Sequence, residues 1–325
     1  MNVLVTGGAG YIGSHVSQKL VNLGYSVTIL DNLSTGFKTA VSPNVEFIHG
    51  DVRDISLVSS VLKGKNFSGV MHFAAKLVVP ESILKPIEYY ENNVGGVMTV
   101  AKACDNAGVK NFIFSSTAAV YGSEPMGLIS ESTPTAPLNP YGQSKLMSET
   151  ILKDCENAFG LRSVRLRYFN VAGAAQDGSN GQRTKTTTNL IKVASEAACG
   201  KRDFVEIYGT DYNTPDGTGI RDYIHVEDLA DLHIMGLQYL EEGGASDTFN
   251  CGYGHGYSVK EVLEEIKKVS GNNFSVVNKP RRQGDAERSV ADSAKVRKVF
   301  NWSPKRDDLA IICKSAYDWE KSLKT

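Results

Sequence analysis

A glycine-punctuated turn between a short apolar strand and a helix constrains this chain more than any other feature. Val3-Leu4-Val5 leads into Gly7-Gly8-Ala9-Gly10-Tyr11-Ile12-Gly13; residues 12–23 then follow a helical pattern that stops at Gly24, and Val27-Thr28-Ile29-Leu30 ends at Asp31. In such a strand–turn–helix–strand unit the glycines permit a tight turn and let the backbone approach a pyrophosphate. The helix N-terminus adds N–H groups and the positive end of its dipole. Gly7, Gly10, Tyr11, Ile12 and Gly13 are therefore candidate dinucleotide contacts. Asp31 closes the second strand, where a carboxylate accepts from a ribose 2′-hydroxyl and repels a 2′-phosphate, which favours NAD over NADP.

The alternation continues downstream. Val45-Glu46-Phe47-Ile48, Val70-Met71-His72-Phe73, Asn111-Phe112-Ile113-Phe114 and residues 164–168 are short runs rich in β-branched or aromatic residues, with helical stretches between them. That pattern predicts an α/β fold, a Rossmann-type doubly wound parallel sheet with helices on both faces. Gly7, Asp31, Asp51, Phe73, Ser115 and Tyr168 stand at the ends of these strands and should share the edge where ligands lie. Beyond residue 173 the chain turns polar and glycine-rich. Helical stretches at 189–199 and 226–240, a Gly/Asp/Pro-dense loop at 208–219, a helix at 258–268 and a strand at 274–277 suggest a smaller C-terminal α+β lobe. The expected division is 1–172 for the dinucleotide and 173–325 for the substrate, with some C-terminal segments returning to the first lobe.

Composition narrows the function classes. A net charge of −1, with 22% charged and 41% hydrophobic residues, is that of a globular protein and gives no case for nucleic acid or an acidic membrane as partner. Cys104, Cys155, Cys199, Cys251 and Cys313 are scattered, without the spacing of a disulfide framework or a zinc site, so no metal is expected. The N-terminus lacks the basic segment of a signal peptide, and no apolar run approaches the ~20 residues of a membrane span. These features point to a reduced, cytoplasmic setting.

A second motif adds chemistry. Ser115-Ser116-Thr117 follows a buried strand, and Tyr141-Gly142-Gln143-Ser144-Lys145 lies on a predicted helix. Residues four apart share a helix face, so the Lys145 ammonium should lower the Tyr141 phenol from its ordinary ~10 and make it a general base. A strand-end hydroxyl, Thr117, completes a proton path. Beside a dinucleotide, this trio implies redox chemistry on an alcohol.

On these residues the chain resembles the extended short-chain dehydrogenases/reductases and, within them, the UDP-glucose 4-epimerases. The resemblance runs nearly end to end. It includes residues 7–14, Leu30-Asp31-Asn32, Tyr89-Tyr90-Glu91-Asn92-Asn93-Val94, residues 111–116 with Val120-Tyr121-Gly122, residues 141–147 and Leu166-Arg167-Tyr168-Phe169-Asn170. The most specific stretch is Asp216-Gly217-Thr218-Gly219-Ile220-Arg221-Asp222-Tyr223-Ile224-His225-Val226, and the last is Arg281-Arg282-Gln283-Gly284-Asp285.

The resemblance implies NAD as a resident cofactor, held also by Asn32, Asp51, Val52, Phe73, Ala74, Ala75, Asn93, Tyr141, Lys145 and Phe169, with Asp51 a candidate to cap the adenine. It implies a UDP-sugar substrate held by Asn170, Asn189, Leu190, Tyr208, Arg221, Arg282 and Asp285. Two guanidiniums would fork onto the diphosphate, Tyr208 would stack on uracil and Asp285 would accept from ribose. Tyr141 would remove the proton of the sugar 4-OH, directly or through Thr117, which stands where other members often carry Ser. The C4 hydride would pass to NAD and return to the opposite face after the 4-keto sugar turns. A homodimer through helices near 92–106 and 141–158 is also implied.

Two positions depart from the pattern. Many of these epimerases place a cofactor-contacting lysine one position later than Lys76. Ser289 stands where some carry a bulky tyrosine, and a small residue leaves room for a 2-acetamido group, hence for UDP-N-acetylglucosamine and UDP-N-acetylgalactosamine. A 4-epimerase of another UDP-sugar (xylose/arabinose or glucuronate) and a non-catalytic NAD-binding sensor on the same fold stay open. A 4,6-dehydratase lacks its acid–base pair, because Ala118-Ala119 follows Thr117.

Overall fold

Short β-branched runs separated by helices assemble into a seven-stranded sheet. The computed structural model describes residues 1–122, 127–184, 187–282 and 285–323, so Gln283 and Gly284 of the 281–285 motif lie outside the described residues. Strands β1 (Asn2–Thr6), β2 (Ser26–Asp31), β3 (Glu46–His49), β4 (Phe67–His72), β5 (Asn111–Thr117) and β6 (Arg162–Tyr168) are joined by the strand Asp247–Cys251. The order across the sheet is β3-β2-β1-β4-β5-β6 and then Asp247–Cys251. The pairs β1–β2, β2–β3, β1–β4 and β4–β5 are parallel, with Val5 opposite Ile29 on one side and Met71 on the other. This is the doubly wound order, and its direction reverses between β1 and β4, where such sheets bind ligands.

The α-helices up to residue 160 are α1 (Tyr11–Asn22), α2 (Ile55–Leu62), α3 (Val79–Leu84), α4 (Pro86–Tyr89), α5 (Gly95–Ala107) and α6 (Pro140–Phe159), and Val226–Glu241 follows later in the chain. Local signals set their ends. Asp54 accepts from the Ser56 and Leu57 N–H groups at the start of α2, and Asn139 caps α6 ahead of Pro140 in the first turn. Gly108 and Gly160, each at φ 72°, end α5 and α6 in the left-handed conformation. One face of the sheet (Leu4, Leu30, Val70, Phe112, Phe114) packs on Val58, Val61 and Leu62 of α2, Val97, Val100 and Cys104 of α5, and Leu152 of α6. Each fully buried side chain of this size contributes about 1.5–3 kcal/mol, so this cluster fixes the strand ends on which the chemistry sits.

The chain divides into two compact units. The first comprises Met1–Val120, Thr135–Arg167 and Ala230–Phe249; the second comprises Tyr121–Pro134, Tyr168–Leu229 and Asn250–Thr325. In the second unit Ser275–Lys279 pairs in parallel with Phe204–Tyr208, and Tyr223–His225 with Asn170–Ala172. Ile220–Arg221 lies between Tyr257–Ser258 and Arg288–Ser289. Helices Leu190–Ala198, Val259–Ser270 and Leu309–Ser322 pack together there, and Ser258 with Glu261 forms a capping box for the second of them.

Candidate active site

In the first unit the glycine turn leaves β1 with Gly7 at φ +74°, and a Cβ there would lie 2.5 Å from the Ala74 nitrogen. At Gly13 a Cβ would lie 2.4 Å from the Gly7 carbonyl oxygen, so α1 rests directly on the turn. The glycines therefore do what the sequence pattern requires: one makes the turn beside β4, and another lets the helix close onto it. Helix α1 begins after Gly10, which has no side chain to cap it. The four N–H groups of a helix's first turn lack intrahelical acceptors and offer an anion site.

Asp31, 7% exposed, ends β2. One carboxylate oxygen accepts from the Ala9 N–H at 2.9 Å and the other from the Leu33 N–H at 2.8 Å. The group is fixed with acceptor capacity left on both oxygens, as recognition of a ribose diol needs. Asn32 donates to Asp51 at 3.3 Å, and Asp51 is gripped by the Arg53 guanidinium at 2.9 and 2.7 Å. Those bonds from Arg53 hold the Asp51 carboxyl down at about 2. Val52 is buried beside Gly96.

The loop after β4 holds Phe73, Ala74 and Ala75. Phe73 continues the ladder with its N–H on the Thr6 carbonyl at 2.9 Å. Asn93, in the π-helical turn Tyr90–Val94, clamps the end of this loop. Its amide oxygen accepts the Lys76 N–H at 2.8 Å, and its amide nitrogen donates to the Lys76 carbonyl and to Ser144 Oγ, both at 3.0 Å. The Lys76 ammonium itself turns to Glu88 at 2.5 Å.

The structure places Ser115, Ser116 and Thr117 within β5 rather than after it. Thr117 Oγ1 accepts the Ala119 N–H at 3.1 Å and is hydrogen-bonded to the Tyr141 phenol. One helical turn on, the Lys145 ammonium donates to the Ser115 carbonyl at 2.8 Å and lies 4.9 Å from the centre of the Phe114 ring. Burial pulls Lys145 down to about 7, with the Glu149 charge opposing. The expectation that Lys145 depresses the Tyr141 phenol is corrected in this arrangement. Burial pushes the phenol up, only the Thr117 bond holds it back, and the ammonium is spent on a main-chain carbonyl.

The sequence motifs did not single out the network beneath. Ser116 Oγ donates to Glu149 at 2.5 Å, and Arg167 Nε donates to the two Glu149 oxygens at 2.9 and 3.2 Å. Glu149 falls one helical turn after Lys145 and two after Tyr141, so extending the four-residue spacing on α6 would have found it. His72, 1% exposed, shares a 2.9 Å bond with Thr6 Oγ1; burial and the Lys145 charge drive it down to about 3, so the imidazole is neutral.

The remaining candidates lie in the second unit. The Phe169 N–H donates to the Cys251 carbonyl at 3.1 Å, and that of Asn170 to the Asp222 carbonyl at 2.9 Å. Asn189 precedes the helix that Leu190 opens and donates its side-chain amide to the Val171 carbonyl at 2.8 Å. Arg221 Nη2 donates to Asp285 at 3.0 Å. The Arg282 guanidinium lies 3.6 Å from the centre of the Tyr208 ring, so one face of that ring is already covered. Ser289 sits opposite Arg221 in a parallel pair.

A glycine turn at the switch point of a doubly wound sheet, an anchored acid at the end of β2 and a Thr–Tyr–Lys trio define a nicotinamide-nucleotide enzyme of the Rossmann type. Residues 3–252 match the sequence pattern of the NAD dependent epimerase/dehydratase family, and the chain belongs to that family. It is 49% identical over 322 residues to a UDP-glucose 4-epimerase of Azospirillum brasilense, covering 99% of this chain and 92% of that protein. Among solved structures it is similar to the UDP-glucose 4-epimerase from Brucella ovis in complex with NAD, at 41% identity and TM-score 0.95 over 98% of both chains. It is also similar to the UDP-Glc/GlcNAc 4-epimerase of Campylobacter jejuni, at 47% identity and TM-score 0.87 over 99% of both.

Proposed function

We propose that the chain interconverts UDP-glucose and UDP-galactose by inversion at C4 of the sugar, with NAD as a resident cofactor. The observation that carries this reading is the hydrogen bond between Tyr141 on α6 and Thr117, which ends β5 on the sheet edge that also bears the glycine turn and Asp31. The tight turn that Gly7 and Gly13 permit, the uncapped start of α1 and the anchored Asp31 suit a dinucleotide diphosphate and an unphosphorylated adenosine ribose. NAD, when bound, supplies the acceptor and donor of the C4 hydride and a positive ring charge.

The chain supplies the rest. Tyr141 takes the proton of the 4-hydroxyl, directly or through the Thr117 hydroxyl, while the hydride leaves C4. The 4-keto sugar turns about its diphosphate, and the same tyrosine returns the proton to the product alkoxide. Net redox is zero. Lys145 assists by leaving the Ser115 carbonyl to support the phenolate electrostatically. Arg221 and Arg282 suit the diphosphate, Asp285 the uridine ribose, and the face of Tyr208 away from Arg282 the uracil.

The test is turnover of UDP-galactose by the purified protein without added NAD. Conversion establishes a retained cofactor and a 4-epimerase. No conversion even with NAD supplied removes the reading and leaves pentose or uronic-acid UDP-sugars, or a sensor role.

N-acetylated sugars form a second reading, supported by the small Ser289 and by the likeness to the Campylobacter jejuni enzyme. Ser289→Tyr should remove turnover of UDP-N-acetylgalactosamine before that of UDP-galactose; equal loss of both would exclude the argument. We also propose a homodimer through α5 and α6. Met98 and Met147 on these helices are 53% and 39% exposed, and Leu84 and Ile87, on the short helices α3 and α4 ahead of α5, are 82% and 66% exposed. Paired apolar faces of this kind suit a four-helix bundle, and a monomer by sedimentation would refute it. Among the described residues no helix is long and apolar enough to cross a membrane, and the five cysteines are free thiols, which supports a reduced, cytoplasmic setting.

A further inference from the structure

Asp222 has no exposed surface, and the hydrogen bonds its carboxylate makes run to main-chain N–H groups. One oxygen accepts from Tyr253 at 2.9 Å; the other accepts from Gly254 at 3.0 Å and from Ala291 at 3.2 Å. Its own main chain is used on both sides: the N–H donates to the Ser289 carbonyl at 3.0 Å, and the carbonyl accepts the Asn170 N–H at 2.9 Å. Gly252 makes room for the charge, since a Cβ at that position would lie 2.5 Å from a carboxylate oxygen.

A buried anion satisfied by backbone amides acts as a template for chain path, because moving any of those segments breaks a charge-assisted bond in a medium where it is strong. Asp222 does this where Arg221 precedes it, Ser289 faces it and Asn170 pairs beside it. We propose that Asp222 is a positioning residue for the nucleotide sugar, its charged carboxylate holding in register the strands that carry Asn170, Arg221 and Ser289. This rests on the reading of those residues as UDP-sugar contacts.

The arrangement carries a pH signature. Burial pushes the Asp222 carboxyl up to about 6, against the pull of its three N–H bonds and of the His255 charge. The other ionisable groups around it are occupied: His255 pairs with Asp307, the Tyr253 hydroxyl donates to Asp228, and Arg221 pairs with Asp285. Protonation puts a hydrogen on an oxygen that faces N–H donors, so the one segment whose bond is lost leaves the template, while the fold as a whole gains stability because the buried carboxyl binds the proton more tightly than the unfolded chain does. Because the folded value lies above the ordinary one, this occurs as pH falls through about 6, well before an exposed carboxylate at ~4 would respond.

The experiment uses the full-length holoenzyme. UDP binding by calorimetry, and kcat and KM on UDP-galactose, are measured from about pH 5.5 to 8 for the wild type, Asp222→Asn and Gly252→Ala. Wild-type KM should rise toward acid while bound NAD stays constant. Asp222→Asn should raise KM and the UDP dissociation constant about tenfold or more at neutral pH, equivalent to ~1.4 kcal/mol. It should keep saturating kcat and NAD content, and lose the acid rise. Gly252→Ala, which crowds the carboxylate without removing it, should move KM the same way and keeps the idea testable if Asp222→Asn does not fold. A flat wild-type KM profile, or UDP binding by wild type and both variants alike, overturns the inference. UDP that fails to bind wild type at any pH overturns the nucleotide-sugar reading instead.

Discussion

Replacing Glu149 by glutamine should destabilise the protein far more than a change of one atom suggests. Glu149 and Arg167 are 6% and 9% exposed at their side chains, so solvent screens their interaction little. Arg167 donates to Glu149 at 2.9 and 3.2 Å through Nε and again through Nη2, and Ser116 adds a fourth bond at 2.5 Å. Glutamine keeps a carbonyl for one donor but turns an NH2 toward a guanidinium that has lost its counter-charge. Removing one member of a buried pair costs about 3–5 kcal/mol, a large part of the ~5–15 kcal/mol that holds a domain folded. The cost belongs to a buried charge deprived of Glu149, so the double change Glu149→Leu with Arg167→Met should recover most of it, less the ~1–3 kcal/mol of a Ser116 hydroxyl that has lost its acceptor. Urea unfolding of the NAD-saturated protein reads all three. A single variant within ~1 kcal/mol of wild type, or a double variant no better than the single, would refute the reasoning.

Three further outcomes follow from the site. Tyr141→Phe should lower kcat by about 10²–10⁴-fold with bound NAD unchanged, as expected of a proton-transfer group, in a single-turnover assay. Gly7→Ala forces a methyl onto the Ala74 backbone at φ +74°, so cofactor retention on desalting and the melting temperature should both fall. Lys145 titrates at about 7 when folded, below its ordinary 10.5. Between those values the unfolded chain binds the extra proton, so stability should rise with pH just above 7, at up to ~1.4 kcal/mol per unit. Lys145→Met should flatten that rise, and equal slopes for the two proteins in parallel denaturations would show the ammonium is not the cause.

The alternation of strands and helices, the glycine turn, Asp31 and the Tyr141–Lys145 spacing are local patterns, and the structure carries them where the periodicities put them. Elements that owe their form to distant partners were less legible. Asp247–Cys251 (Asp-Thr-Phe-Asn-Cys) has neither alternation nor a β-branched run, and its strand exists because β6 offers it an edge. Strands of two or three residues, such as Ile220–Arg221, are too short to carry a period at all. The same holds in the site. That Tyr141 and Lys145 share a helix face follows from spacing alone. That the ammonium goes to Ser115, 30 residues away in the chain, and that Asp222 gathers amides from Tyr253, Gly254 and Ala291, follows only from the assembled fold.

The residues proposed to grip the nucleotide meet it already engaged with one another, Arg221 with Asp285 and Arg282 against Tyr208. Binding is then an exchange of partners. A phosphate drawing on Arg221 frees Asp285 for a ribose hydroxyl, so the two contacts should strengthen together. Added salt weakens the internal pair as well as the external one, and the affinity for UDP should therefore fall less steeply with ionic strength than two independent arginine–phosphate contacts would dictate. A site wired this way discriminates by completeness: a ligand with a diphosphate but no ribose breaks the Arg221–Asp285 pair and leaves the aspartate with nothing in return.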